Sequence, residues 1–401
     1  MGGNVTSRIK KTGEETRAEK IPLKDIGRKE FINKFVEIFK VLNKNFKKKN
    51  NRPIWVDEKL LSNGFVFNGS TSFIMDPSLS DEEVVKYKPS AGDLDIALPE
   101  NLKIDVWHFL DNLEGKEIIP GVKYMGSNKM SPSAIGDQIN TVFIVDFGNV
   151  RAKCQVDFEF LPFEENKPSD WAKFSHSSSF ADAKAGVKAV AHKFLIRALV
   201  GGASVREDIV IATTKSTPDK IILSKSKIHL IPRMLKFSVA RGIRVAYEPM
   251  LDNNGQPIYV DGKEVYKEIP SKDSTYETVI ENIYKLAFQQ LIGHEQDVRL
   301  FNSFVGVLEL MKKYLDKKQI QNTHERFIDL LWSYKGQIAQ ELEVGNAELD
   351  FQIKNAAYQK MIKYLGLPDK SNKMVEMYYK DYGRRRKVRE SFRGLLENIT
   401  I

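Results

Sequence analysis

Between residues 28 and 49 apolar side chains fall at Phe31, Phe35, Ile38 and Leu42, steps of three and four that place them on one face of a helix. The stretch ends in Lys47-Lys48-Lys49, cations suited to the negative end of a helix dipole, which outranks a role in nucleic-acid contact. Pro53 marks the next boundary. Residues 65–67 then form an apolar run closed by Asn68-Gly69-Ser70-Thr71-Ser72. A period of two follows, with Leu94 and Ile96 facing away from Asp93 and Asp95. Residues 104–113 read as a helix. Two strand patterns, 141–146 and 151–160, flank Phe147-Gly148-Asn149-Val150, which reads as a hairpin turn and places Asp157 on the return strand beside the aspartate pair. Before all of this, residues 1–26 are polar, mixed in charge and aperiodic, and read as a mobile arm.

Residues 168–179 are Ser-rich and read as a linker. A helix over 182–199 presents Val187, Val190, Ala191, Phe194 and Leu195 on its apolar side, with Lys188, His192, Lys193 and Arg197 largely elsewhere. Residues 205–270 switch to strand patterns, with turn signals at Pro218-Asp219 and Asp261-Gly262. From residue 276 the pattern is helical, and a helix over 347–365 meets stop signals at Gly366 and Pro368. No fixed-period repeat is present. The sum is an α+β protein, with a mixed-sheet domain followed by a mainly helical domain that carries a small β-rich insertion. Its predicted divisions are 1–52 (arm and helix), 53–168 (sheet domain), 169–270 (helix plus β-rich subdomain) and 271–401 (helical domain).

Asp93, Asp95 and Asp157 supply the candidate chemistry. Each lies in an otherwise apolar strand, where an unpaired charge is costly, and three carboxylates on neighbouring strand edges form a hard, oxygen-rich site for Mg²⁺. Two such ions can clamp the attacking and leaving oxygens of a phosphoryl transfer. The Gly69-Ser70 turn offers a triphosphate close backbone approach, a hydroxyl and the start of a helix. Asp146 and Glu159 are alternative ligands, Asp146 the more solvated and Glu159 on the same face as Asp157. Taken alone, a Gly-Ser turn or an Asp-x-Asp pair is usually structural, and only their order gives the signal its weight.

That order of Gly-Ser, Asp-x-Asp between apolar residues and a later lone Asp on a strand resembles the nucleotidyltransferase superfamily with the DNA polymerase β-like catalytic fold. The resemblance covers residues 53–165. It implies that Gly69 and Ser70 hold the phosphates of an NTP such as ATP, that Asp93 and Asp95 bind two Mg²⁺ ions (or Mn²⁺), and that Asp157 helps to ligate the catalytic one. It further implies cationic contacts to the triphosphate from the following domain, for which Lys188 and His192, one helical turn apart, are the candidates. Residues 72–91, with Asp76-Pro77 and Asp81-Glu82-Glu83, make the gap before the Asp pair longer than the family's usual spacing, which reads as an inserted acidic loop. The implied activity is transfer of a nucleoside monophosphate to an acceptor hydroxyl. The acceptor stays open between an RNA 3′ end (tRNA-like), a protein and a small molecule. Rival readings are a non-catalytic nucleic-acid-binding or interaction protein on the same fold, and a metal-dependent phosphodiesterase, which needs no triphosphate cradle.

Composition adds three points. With 42% hydrophobic residues in 401, the chain has room for two or three domains. Lys+Arg 62 against Asp+Glu 53 gives +9, an excess that suits a polyanion such as RNA or simply keeps the surface soluble. The densest basic segment spans residues 378–389, where Arg384, Arg385 and Arg386 follow Tyr378, Tyr379 and Tyr382, and a second basic set is Lys236, Arg241 and Arg244. The single cysteine, Cys154, excludes an intrachain disulfide and a cysteine-based zinc cluster, and reads as a buried core residue. No apolar run reaches eighteen residues and the N-terminus lacks a signal-peptide core, so the expectation is a cytoplasmic protein without a membrane partner.

Overall fold

In the computed structural model, which describes residues 6–9, 13–128, 131, 133, 135–223, 232–238, 241–270, 300–332, 347–370 and 372, the chain divides into two compact units, Met1–Ala185 and Gly186–Ile401. The first opens with a hairpin, β1 (Thr6–Arg8) and β2 (Glu15–Arg17), a one-turn α1 (Leu23–Ile26) and the long α2 (Arg28–Asn50). Short helices α3 (Lys59–Ser62), α4 (Thr71–Ile74) and α5 (Asp81–Tyr87) lead to β3 (Leu94–Pro99). There follow α6 (Lys103–Leu113), β4 (Glu117–Ile119), β5 (Val122–Ser127), β6 (Gln138–Asp146) and β7 (Arg151–Leu161). A small hairpin, β8 (Phe163–Glu164) and β9 (Lys167–Pro168), precedes α7 (Asp170–His176) and α8 (Phe180–Lys184).

Strands β3 to β7 form a mixed five-stranded sheet of order β3-β7-β6-β5-β4, in which β3 and β7 are parallel and the other pairs antiparallel. One face is apolar. Leu94, Ile96 and Leu98 of β3 and Val156, Phe158 and Phe160 of β7 join the core formed by α2 and α6. The α2 stripe is the one its spacing predicts, and Phe39 lies at its centre, against Trp55, Phe67 and Phe158 with ring centroids 5.8–6.3 Å apart. Cys154 is buried in the same core, where burial pushes its thiol pKa up.

The opposite face is divided. Its β5–β6 part is covered by the N-terminal hairpin, through Ile9 and Ala18 on Met125 and Val142. The described part of residues 1–26 is therefore structured rather than a mobile arm: Ile21 exchanges backbone hydrogen bonds with Ala91 (2.8 and 2.9 Å) and is fully buried. The predicted linker at 168–179 is likewise built into the unit, since it contains α7, and the first unit runs on to Ala185. One side chain gathers much of the acidic insertion. Arg28, buried in the first turn of α2, donates from Nε to the Ile74 carbonyl (2.7 Å), from Nη1 to the Leu79 carbonyl (2.8 Å) and Asp81 (2.5 Å), and from Nη2 to the Asp76 carbonyl.

The second unit contains α9 (Ala189–Ala203), and the helix predicted over 182–199 is broken before it by Gly186 at φ +69°. Next come β10 (Ile209–Ile211), β11 (Leu235–Ser238), β12 (Gly242–Val245), β13 (Tyr247–Pro249), β14 (Tyr259–Val260) and β15 (Lys263–Glu268). β11 and β12 form a hairpin, while β15 pairs with β10, β13 and β14. Helices α10 (Phe304–Tyr314), α11 (Lys317–Trp332) and α12 (Ala347–Leu365) complete its described part. The architecture is α+β. Among the described residues no helix is long and apolar enough to cross a membrane.

The Arg28 fork predicts that Arg28→Met, which strands three carbonyls and a carboxylate, destabilises the first unit by about 3 kcal/mol. Urea unfolding followed by tryptophan fluorescence checks it, because Trp55, Trp107 and Trp171 lie in that unit. Arg28→Lys should recover only a minor part, since an ammonium cannot reproduce the planar fork.

Candidate metal centre

Alternation along β3 and β7 that buries one set of side chains turns Asp93, Asp95, Gln155, Asp157 and Glu159 to the other face. Parallel pairing puts Asp95 directly opposite Asp157. One carboxylate oxygen from each of Asp93, Asp95 and Asp157 lies within 4.8 Å of the others. Asp157 is buried and the other two are half-buried.

Electrostatics follow from this crowding. Burial, then the charges of Asp93, Glu159 and Asp157, hold Asp95 well above the usual carboxylate range. Asp93 is raised chiefly by burial. Burial pushes Asp157 up to about 7, against hydrogen bonds from Asn140 and Gln155 that favour its ionised form. Gln155 donates its Nε2 to both Asp157 oxygens at 3.0 and 2.9 Å, and Asn140 faces Asp157 across the β6–β7 ladder.

The Gly-Ser turn lies directly against the acids. Gly69 has φ +51°, and a Cβ built on it would fall 1.7 Å from Asp95 Oδ2, so any side chain there would displace that carboxylate. Thr71 Oγ1 donates to the Asp93 carbonyl (3.2 Å) and accepts from the Asp95 N–H (3.1 Å), tying the turn to the backbone between the two aspartates. The last residue of α7 and the segment after it brace the turn from outside: the Gly69 N–H donates to the His176 carbonyl (2.7 Å) and the Ser178 N–H to the Gly69 carbonyl (2.9 Å). Two expectations change here. The Gly69 N–H is already committed to protein, and the helix after the turn, α4, is a single turn, too short to act as a helix N-terminal anion site. The contact left to this turn is Ser70, half-buried and without a capping bond.

Around this centre Glu159 accepts from Asn68 Nδ2 (2.6 Å) and lies 3.5 Å from His176 Nδ1, which makes it a brace for the turn. Lys173 donates to the Phe67 carbonyl (2.6 Å), and burial lowers its pKa to about 8. Asp146 is exposed at the hairpin turn, where it accepts from the Gly148 N–H (2.8 Å), and does not join the cluster. The second-unit candidates do not form one exposed face. Lys188 is exposed at the N-cap of α9, whereas His192 is 1% exposed with Nε2 2.8 Å from the Phe301 carbonyl, so its ring belongs to the packing of that unit. Arg244 is buried and donates to the Ile269 carbonyl (2.9 Å), and Lys236 pairs with Glu268. Residues 378–389 lie outside the described residues.

The residues the sequence did not single out are Asn140, Gln155, Thr71 and Lys173. A signal existed for two of them: Gln155 shares the face of Asp157 by period two, and the hairpin turn fixes the register that sets Asn140 opposite.

The three carboxylates, which repel one another, form a donor set that can hold a hard cation; separately, Asn68 Oδ1 is buried beside the turn without a partner. A cleft of about 660 Å³ opens at the other end of β3, between Arg52, Ile54, Pro99 and Phe163, and the three aspartates do not line it. No protein-family model, curated protein or solved structure matches the chain.

A pH dependence follows. Between 3.8, the ordinary aspartate value, and about 7, folded Asp157 keeps a proton that the unfolded chain has released, so metal-free stability falls as pH rises through that window. Thermal unfolding in chelator from about pH 5 to about pH 8 should show this decline, with a shallower slope in Asp157→Asn. A divalent cation should raise the midpoint of the wild type most at the alkaline end. Identical slopes in the two proteins would show that Asp157 does not titrate in this way.

Proposed function

We propose that the protein is a metal-dependent nucleotidyltransferase that moves a nucleoside monophosphate from an NTP to an acceptor hydroxyl. The observation that carries the reading is the contact between the Gly69-Ser70 turn and the Asp95 carboxylate, inside a cluster of three aspartates on adjacent parallel strands. A phosphodiesterase would need the acids but not the turn.

Asp93, Asp95 and Asp157 would hold Mg²⁺ or Mn²⁺, which supplies charge neutralisation at the phosphate oxygens and a more acidic acceptor hydroxyl. The remaining work falls to the chain itself. Ser70 donates to the triphosphate, Gly69 keeps the turn close to Asp95, and Thr71 fixes the spacing of the two aspartates. Gln155 and Asn140 hold the Asp157 carboxylate in one orientation, so little reorganisation is needed as charge develops. In the overall reaction the acceptor oxygen bonds to the α-phosphorus, the bond from that phosphorus to the bridging oxygen breaks, and pyrophosphate departs. The acceptor we favour is an RNA 3′ end, on the strength of the positive charge of the chain.

The test is incubation of the pure protein with each α-labelled NTP, Mg²⁺ or Mn²⁺, and total RNA or lysate. Label should enter a macromolecule with wild type and fall at least ~10²-fold with Asp95→Asn, the scale of removing one preorganised electrostatic contact. Equal labelling by the two proteins would overturn the assignment. Nuclease or protease sensitivity of the labelled product identifies the acceptor. Ser70→Ala should weaken NTP binding by about 1–2 kcal/mol, one hydrogen bond to a charged group, and leave acceptor binding unchanged in a direct titration.

A further inference from the structure

Most of the arginines described above are committed to a partner. Arg28 binds Asp81 and three carbonyls, Arg52 pairs with Asp105, Arg206 with Asp208, and Arg244 with backbone carbonyls. Three arginines of the second unit differ. Among the described residues, the side chains of Arg197 on α9, Arg233 just before β11 and Arg326 on α11 make no ion pair or hydrogen bond, and the Arg233 Nε is buried without an acceptor.

Backbone packing brings the three together. The α9–α11 contact is close at Gly202, where an added Cβ would fall 2.6 Å from the Thr323 backbone, and Gln319 Nε2 donates to the Ala203 carbonyl (3.4 Å). Position numbers therefore rise along α11 as they fall along α9, so the two helices are antiparallel. Going one way from the Gly202–Thr323 contact leads to Arg197 on one helix and Arg326 on the other. Arg233 crosses the same stretch of α9, its Cδ 3.2 Å from where a Cβ on Gly201 would stand, one turn from Arg197. The proximity has an electrostatic signature: after burial, the charges of Arg233 and Arg197 push the Arg326 pKa down, opposed by Asp329.

Three guanidinium groups held within reach of one another, two of them half-buried, are costly without an anion. A buried donor with no acceptor points the same way. A phosphate group answers both, because its several oxygens can accept from more than one planar fork at once.

We propose that Arg197, Arg233 and Arg326 form a phosphate-binding site on the second unit, taking the oxygens of a phosphate group carried either by a free polyphosphate or by a nucleic-acid backbone. The site shares no residue with the metal centre and stands whether or not the chain transfers nucleotides.

The test uses the full chain in chelator, so that the metal centre contributes nothing, with three probes: inorganic phosphate, tripolyphosphate and a single-stranded RNA oligonucleotide. The variants are Arg326→Gln and Arg233→Lys, the second keeping the charge but losing the buried Nε donor. Each variant should weaken at least one probe by ~10-fold or more, the scale of a charge-assisted bidentate contact. Without ligand neither should unfold at a lower temperature than wild type, since Arg326→Gln relieves like-charge repulsion and Arg233→Lys removes a buried donor that has no acceptor; an arginine that merely packs would give the opposite shift. Tripolyphosphate weakened with RNA unaffected assigns the site to free phosphates. RNA weakened, with its log-affinity slope against log salt reduced by about 0.7 per lost contact, assigns it to a backbone. Binding of all three probes unchanged in both variants would overturn the proposal, as would loss of thermal stability in ligand-free Arg233→Lys.

Discussion

Placing Asp95 opposite Asp157 across a parallel strand pair, with Asp93 beside them, is the constraint on which the first unit is organised. Like charges in a partly desolvated setting repel, and nothing about the aspartates themselves would hold the two strands in that register. The register is held from the other face. Leu94, Ile96 and Leu98 interleave with Val156, Phe158 and Phe160, and Phe39 of α2 touches both Phe158 and Phe67. A slip of one residue would turn these apolar side chains outward and the acids into the core, an exchange unfavourable on both counts. The core thus fixes where the carboxylates stand, and the amides of Gln155 and Asn140 fix how Asp157 is turned.

The turn obeys the same logic. Gly69 is required because the Asp95 carboxylate occupies the space a side chain would take, and its φ of +51° is one that glycine adopts without strain. Bracing comes from remote segments, with the stretch after α7 bonding the turn on one side and Thr71 on the other. A short Gly-Ser sequence with little structure of its own thereby gains a fixed position beside the acids. Arg28 extends this support to the insertion that follows.

What was legible in the sequence was whatever depended on local period. The α2 stripe, the Asp93/Asp95 face and the hairpin returning Asp157 to its neighbours could be read because each rests on spacing of two or of three to four. What could not be read depended on distant partners. Residues 1–26 have too few apolar positions to show a period, and Ile9 and Ala18 find their cover on Met125 and Val142, more than a hundred residues along the chain. The polar 168–179 segment hid α7, a helix of 7 residues and so too short to show a clear apolar period. His192 sat on the polar side of its helix by pattern, yet Phe301 supplies a carbonyl that allows the ring to be buried.

Positive charge was the least legible signal of all, because a cation in sequence does not declare whether it is already paired. Lys236 and Arg244 suited either a nucleic-acid surface or a packing platform, and are engaged within the fold by Glu268 and by backbone carbonyls. Arg197, Arg233 and Arg326 lie far apart in sequence and form no run, yet they meet because Gly201 and Gly202 let α9 be approached closely on two sides, by Arg233 and by Thr323. Among the described residues no carboxylate forms an ion pair with these three arginines, Asp329 acting on Arg326 only as a nearby charge, and this separates them from Arg28, Arg52 and Arg206, which the fold pairs with carboxylates. Leaving three guanidinium groups together and unneutralised is a stability cost, and such costs persist where a ligand is meant to relieve them.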